Sequence, residues 1–234
     1  MSHASLPAAG SKRRTVQAMF DRIAPRYDAM NRLLTGGLDQ RWRRLLLDAV
    51  AVGPGDRVLD VACGTGDLAA LAAARGARAV GVDFAGRMLE GARRRGVPCG
   101  LVRGDAERLP FAEGSASVVT CGFALRNFVH LEAALGQMAR ALEPGGRLAL
   151  LEVDRPASPV LRATHSFYFD RVVPRVGGWL SDRAAYRYLP SSTSYLPETA
   201  ALLELVGDAG FEAVRRRAVF FGTAQLVTAV RSAT

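Results

Sequence analysis

Apolar positions along the chain change period three times. From Thr15 the stripe Val16, Met19, Phe20, Ile23 recurs at i, i+3, i+4, i+7, which predicts an amphipathic helix that Pro25 interrupts. A second helix is predicted from about Asp39 to Val50, with Trp42, Leu45, Leu46 and Ala49 on one face. Gly53-Pro54-Gly55-Asp56 then turns the chain, and short apolar runs begin to alternate with helical stretches. Arg57–Val61, Ala79–Val82, Gly100–Val102, Ser117–Cys121 and Arg147–Val153 read as buried strands. Asp67–Ala74, Arg87–Arg95 and Leu131–Leu142 read as the helices between them. This alternation predicts an α/β fold, a mostly parallel sheet with helices on both faces. Ligands of such sheets sit beyond the carboxyl ends of the strands.

After Val153 the alternation stops. Residues 155–196 hold Pro156, Pro159, Pro174, Pro190 and most of the late aromatics, which predicts a helical insertion over the sheet. Pro197–Ala209 reads as a helix closed by Gly210, and Phe211–Phe221 with Gln225–Val230 as two closing antiparallel strands. The expected organisation is a mobile basic tail over 1–14 and one domain over 15–234, with a helical cap at 15–52 and the insertion at 155–196.

Composition narrows the class. With 234 residues and 49% apolar positions, the chain can bury a sizeable core and is not mainly disordered. No run of 18 apolar residues lacks a charge, so no membrane span is expected, and the first residues show no secretory h-region. Cys63, Cys99 and Cys121 have neither metal nor disulfide spacing, which fits a cytoplasmic protein without a metal. The net charge is +9 and Lys12 is the sole lysine. Residues 57–154 are close to neutral, so the excess lies on the flanks. A basic surface favours lipid headgroups, nucleic acid or an acidic substrate, and equally suits arginine on a solvated face.

The most informative stretch is Val58-Leu59-Asp60-Val61-Ala62-Cys63-Gly64-Thr65-Gly66-Asp67. A buried strand runs into a glycine loop that opens a helix, so backbone and helix N-terminus can approach a ligand. Taken alone it also satisfies a dinucleotide spacing or a plain turn. Two later acids sharpen the reading. Asp83 ends the second strand, where a carboxylate accepts ribose hydroxyls, and Asp105 follows the third, where it can accept from an adenine amino group beside Ala106. Each acid alone is more often a helix N-cap, but three suited strand ends in order point to a single adenosine.

The set VLDVACGTGD, VGVDFA, GDAERLPF and ALEPGGRLALLE resembles the class I S-adenosylmethionine-dependent methyltransferases, with their seven-stranded Rossmann-like sheet. The resemblance implies S-adenosylmethionine held by Asp60, Gly64, Thr65, Gly66, Asp67, Asp83, Asp105, Ala106 and Gly122. Three further segments carry it to one family. They are Phe20-Asp21 through Tyr27-Asp28-x-Met30-Asn31, then Phe123-Ala124-Leu125-Arg126-Asn127, and Tyr186-x-Tyr188-Leu189-x-x-Ser192. Together they resemble the ubiquinone/menaquinone biosynthesis C-methyltransferases, which methylate a prenylated quinol ring. Arg126 and Asn127, at the carboxyl end of the fourth strand, are the candidate catalytic pair, and the resemblance points to the same two residues. The arginine bias fits a bacterial source in which menaquinone is a common carrier, so demethylmenaquinol is the expected acceptor ahead of a benzoquinol. Tyr27 on the N-terminal helix, with His165 and Tyr168 in the insertion, is expected along the substrate. Ala124 stands where the family usually has glycine, and Asp39 and Gly122 replace a usual histidine and serine. These departures keep a soluble aromatic or polyketide acceptor open. An RNA methyltransferase is disfavoured, because CGFALRN replaces the Asn/Asp-Pro-Pro-Tyr element expected there, so no nucleic acid partner is expected. The aromatic, basic insertion suits peripheral contact with an anionic membrane at its inner face. A homodimer is the remaining partner expectation.

Overall fold

The structure is a computed structural model that describes residues 9–154 and 192–233, with 156, 158, 160, 161, 163, 171 and 188 between them. Three helices precede the sheet: α1 (Ala9–Ile23), α2 (Tyr27–Thr35) and α3 (Leu38–Ala49). Then follow β1 (Arg57–Val61), α4 (Asp67–Ala74), β2 (Arg78–Asp83), α5 (Gly86–Arg94), β3 (Gly100–Arg103) and β4 (Ala116–Gly122). The chain continues through α6 (Leu131–Ala141), β5 (Leu142–Val153), α7 (Thr199–Asp208), β6 (Phe211–Val219) and β7 (Ala224–Arg231).

The seven strands form one sheet in the order β3-β2-β1-β4-β5-β7-β6. Pairs among the first five are parallel, and β7 runs antiparallel to both β5 and β6. Successive residues of the central strands face opposite sides. Leu59, Val119, Leu148 and Leu150 enter one core with Leu135, Met138 and Leu202. Val58, Val118, Ala149 and Leu151 enter the other with Trp42, Leu46, Leu47 and Leu68. Both faces are thus dry, which is why these strands read as continuous apolar runs rather than alternating ones.

Several boundaries differ from the sequence expectation: β6 ends at Val219 and Phe220–Gly222 is a 3-10 turn, and α7 begins at Thr199. Strand β5 begins at Leu142 because Leu142 pairs with Ala116, but Arg147 pairs with Val118, so Glu143-Pro144-Gly145-Gly146 bulges out within the strand. At the start of the chain, residues 9–14 belong to α1 and not to a tail. The cause is Lys12: its side chain is buried, with Nζ donating to the Phe128 carbonyl at 2.6 Å and lying 3.9 Å from the Tyr195 ring centroid. Further along α1, Val16, Met19 and Ile23 pack with Met30, Ala85 and Met88, which fixes α1 and α2 above α5. No helix among the described residues is long and apolar enough to cross a membrane.

Candidate active site

Strand order reverses between β1 and β4, the place where an open α/β sheet leaves a crevice at its carboxyl edge. A cavity occupies that crevice, walled by Ala62, Gly64, Asp83, Asp105, Ala106 and Gly122. Its roof comes from Arg13 and Phe20 of α1, together with Tyr27. Beyond Tyr27 and Phe123, which line both spaces, lies a second cavity of about 510 Å³. That cavity is largely apolar, with Leu34, Leu38, Trp42 and Phe220 on its walls and Arg126 among its lining.

The loop after β1 is shaped for close approach. Gly64 has φ of 57°, and a Cβ there would meet no atom within 4 Å, so the wall is open at that point. Gly122 differs: a Cβ would stand 2.9 Å from Leu68 Cδ1. Ala62 and Phe123, which follow β1 and β4, also take left-handed backbone at φ of 54° and 60°. Such strain in non-glycine residues collects where a site over-determines the backbone.

Asp83 sits at the cavity with Oδ2 accepting from the Gly64 N–H and Oδ1 from the Ala85 N–H, both at 2.8 Å. Burial pushes its carboxyl up to about 6, and the bonds from the Ala85 and Gly64 N–H groups oppose that rise. Asp105 accepts from the Glu107 N–H at 3.0 Å and pairs with Arg13 from α1. A buried carboxylate at β2, a second carboxylate after β3 and an open glycine wall fit an adenosine-bearing ligand.

Four residues that the sequence assigns to the cofactor stand behind the wall rather than on it. Asp60 is buried between β1, β4 and α4, accepting from Thr120 Oγ1 at 2.8 Å and from the Ala69 N–H at 3.2 Å. Burial raises its carboxyl to about 7. Thr65 donates to Asp28 of α2. Asp67 accepts from Arg95 Nη2 and Gln40 Nε2, both at 2.7 Å, and lies 3.9 Å from Arg43 Nε. Although burial opposes ionisation of Asp67, the Arg43 and Arg95 charges hold its carboxyl below the usual range. Gly66, at φ of 85°, precedes α4 and is not part of the cavity lining. These groups brace the loop to the helical cap, because the arginines there offer stronger partners than a neutral nucleoside.

Arg126 and Asn127 occupy a single 3-10 turn after β4 (Leu125–Asn127) and face different spaces. Asn127 lines the first cavity, and its Oδ1 accepts from Tyr188 Oη at 3.3 Å. Arg126 lines the second, with Nε on Ser192 Oγ at 3.1 Å and Nη1 on Glu152. A surface ion pair for Arg126 is thereby excluded, since it is 7% exposed and Glu152 1%. Glu152 was not singled out from sequence; its only signal is a carboxylate ending an otherwise apolar strand. Phe20, Phe84, Met88, Phe123 and Phe128 of the first cavity were also missed, being indistinguishable from core in sequence. Tyr27 is half-buried between the two cavities. Burial raises its phenol, while a hydrogen bond with Asn31 and the charges of Arg43 and Arg126 pull it back. His165 and Tyr168 lie outside the described residues. Burial and nearby carboxylates push the Cys63 and Cys121 thiols well up, which suits packing rather than nucleophilic work. Among the described residues no cluster of His, Cys, Asp and Glu could hold a metal ion.

This sheet order, with paired cavities at the carboxyl edge of β1 to β4, defines a class I methyltransferase. A SAM-dependent methyltransferase of Thermotoga maritima has the same fold at a TM-score of 0.64, with 22% identity over 92% of this chain and 99% of that one. The demethylmenaquinone methyltransferase of Thermus thermophilus is 45% identical over 89% of this chain and 97% of its own length. That of Deinococcus radiodurans is 43% identical over 96% and 97%. Residues 8–231 match the ubiE/COQ5 methyltransferase family, and the chain belongs to it.

Proposed function

We propose that the chain transfers a methyl group from S-adenosylmethionine to a ring carbon of a prenylated quinol, demethylmenaquinol being the acceptor. The observation that carries this reading is the adjoining apolar cavity of about 510 Å³, which meets the adenosine-type cavity at Tyr27 and Phe123 and is lined by the buried Arg126. Bound S-adenosylmethionine would supply a methyl group on a sulfonium, whose neutral thioether is a good leaving group.

The residues supply placement and charge. Asp83 takes the ribose hydroxyls and Asp105 the adenine amino group. Tyr27 and Phe123 border the passage where donor and acceptor meet and help to keep water off the line of transfer. Such alignment contributes about 7–11 kcal/mol. When the neighbouring hydroxyl gives its proton to water, the ring carbon becomes nucleophilic and the guanidinium of Arg126 would stabilise the oxyanion; the methylated carbon then loses its own hydrogen to water, which restores the aromatic quinol. Arg126 spends Nε on Ser192 and Nη1 on Glu152, and a guanidinium has about five N–H donors. Asn127 lines the donor cavity, so its amide would act at the edge where the ring meets the donor. Phe123 and Trp42 give the ring apolar faces, and their own centroids are 6.3 Å apart.

The acceptor lipid also places the protein beside an anionic membrane, as its net charge of +9 favours. Methyl transfer from labelled S-adenosylmethionine tests the reading. Label is expected in detergent-dispersed demethylmenaquinol and not in tail-less soluble phenols. Equal or preferential labelling of a soluble phenol overturns the quinol assignment.

A further inference from the structure

The mouth of the acceptor cavity carries two large aromatics that the cavity does not need. Phe220, 48% exposed, lines it and lies 6.1 Å from Trp42, ring to ring. Phe221 is 72% exposed and touches Phe220 edge-on at 5.4 Å. Both hold left-handed backbone, at φ of 44° and 57°. A bulky residue rarely accepts that conformation, where glycine or asparagine sits without strain. Leu33, from α2, is 56% exposed and lines the same cavity.

Cations flank this apolar rim. Arg215 and Arg217 are exposed on β6, which is an edge strand and leads directly into Phe220. At about 3.4 Å per residue, Arg217 stands within about 10 Å of Phe220. Arg41 is exposed beside Trp42 on α3. Asp39 is buried with Arg43 and Asp154 pairs with Arg216, while Glu212 at the start of β6 is an exposed acid on the same strand. An apolar tip flanked by exposed arginines that form no ion pair among the described residues is complementary to an anionic bilayer. A second copy of a chain with net charge +9 would bring like charges together instead.

We infer that Phe221, Phe220 and Leu33, with Arg215, Arg217 and Arg41 flanking them, form a docking tip. It enters the headgroup layer of an anionic bilayer and opens the acceptor cavity directly into it. The tail of the acceptor then stays in lipid while the ring enters past Leu33 and Phe220. The inference deepens the quinol reading and rests on it for the direction of entry. Contact with the bilayer is measured without turnover.

The test is sedimentation of the full chain with vesicles of phosphatidylcholine alone and of phosphatidylcholine mixed with phosphatidylglycerol. The chain is expected to pellet with the mixed vesicles at low salt and to release in high salt. Phe221→Asn suits the left-handed backbone, so its thermal midpoint should hold or rise while partitioning drops about tenfold. The pair Arg215→Glu, Arg217→Glu should lose the preference for mixed vesicles. Phe221→Asn pelleting like the unaltered chain overturns the inference, as does equal binding to both vesicle types. So does a dimer in solution that Phe221→Asn dissociates without any vesicle binding. The two readings fail separately. Vesicle binding through Phe221 without quinol methylation leaves this surface standing, and methylation in detergent with Phe221→Asn still pelleting removes it.

Discussion

Arg126 and Glu152 form a buried ion pair that ties the turn after β4 to the end of β5, guanidinium Nη1 on carboxylate Oε1. Glu152 Oε1 also accepts from the Val153 N–H at 2.9 Å, while Oε2 has no partner among the described residues. Deleting one member of such a pair leaves the other charged and unsolvated, at a cost of about 3–5 kcal/mol. An alanine at 126 therefore confuses folding with catalysis.

Arg126→Lys is the better probe, because it keeps the charge and loses the planar fork. Turnover with a quinol acceptor should drop by about 100-fold or more, the usual scale for losing an oxyanion donor. Calorimetric affinity for S-adenosylmethionine should stay the same, since Arg126 lines only the acceptor cavity. Parallel loss of donor binding and turnover would assign Arg126 to structure alone.

Asp83 gives a proton-linkage prediction. Burial raises its carboxyl to about 6. Ribose hydroxyls donate to the ionised form, so binding pulls that value down and expels a proton when the pH lies near 6. Affinity for S-adenosylmethionine should therefore weaken as pH falls below about 6. Calorimetry in buffers of different ionisation heat should register proton release there and little at pH values well above it. Asp83→Asn should bind weakly and without this dependence, and a flat profile for the unaltered chain counts against Asp83 as the ribose acceptor.

Asp60 predicts how stability varies with pH. Its folded carboxyl, raised by burial, keeps its proton up to about 7, whereas an unfolded aspartate releases it near 3.8. Within that window the folded chain binds more protons than the unfolded chain, so stability falls as pH rises and levels off above about 7. Urea unfolding from pH 5 to 8 should show the decline. Asp60→Asn should remove its upper part, leaving the contribution of Asp83 through about 6. The absence of a decline that Asp60→Asn removes would mean that Asp60 is ionised throughout this range.

The sheet was legible because each strand is a short apolar run buried on both faces and bounded by glycine, proline or aspartate. The expected strands at 57–61, 79–82, 100–102 and 117–121 lie within one residue of those observed. The strand ends that carry Asp83 and Asp105 follow from the same regularity. Direction was not legible. Thr65 and Asp67 lie in the glycine loop like Gly64, yet their side chains turn to Asp28, Gln40 and Arg95, residues distant in sequence. Lys12 read as tail because a lone lysine among polar residues carries no sign of its carbonyl partner 116 positions away. Arg126 and Glu152 are 26 residues apart, and only the adjacency of β4 and β5 makes them a pair.

Arg95 joins the cap to the cofactor loop, with Nη1 on Asp28 Oδ2 at 2.8 Å and Nη2 on Asp67 Oδ1 at 2.7 Å. The side chain is one-third exposed, so solvent screens both pairs. Arg95→Ala should cost about 1 kcal/mol or less in global stability. Its larger effect should be local. Amide exchange in α2 should quicken, and S-adenosylmethionine should dissociate faster because Asp28 also holds Thr65. Unchanged exchange in α2 would show that the apolar contacts of Met30 suffice to hold the cap.

Arg13 predicts a gain rather than a loss. It extends from α1 into the donor cavity and pairs with Asp105, the carboxylate assigned to the adenine amino group. The arginine is 59% exposed, so the pair is weakly held, but it must yield before adenine can donate to that carboxylate. Helix α1 does not depend on it, because Val16, Met19 and Ile23 anchor the helix against Met88. Arg13→Gln should therefore leave the thermal midpoint unchanged and tighten S-adenosylmethionine binding several-fold at low salt. Added salt should bring the unaltered chain toward the variant, since screening weakens the competing pair and leaves a neutral hydrogen bond untouched. Asp105→Asn should weaken binding in either background. Equal or weaker affinity in Arg13→Gln would place Arg13 among the groups that help to hold the donor, and would reverse the part assigned to it here.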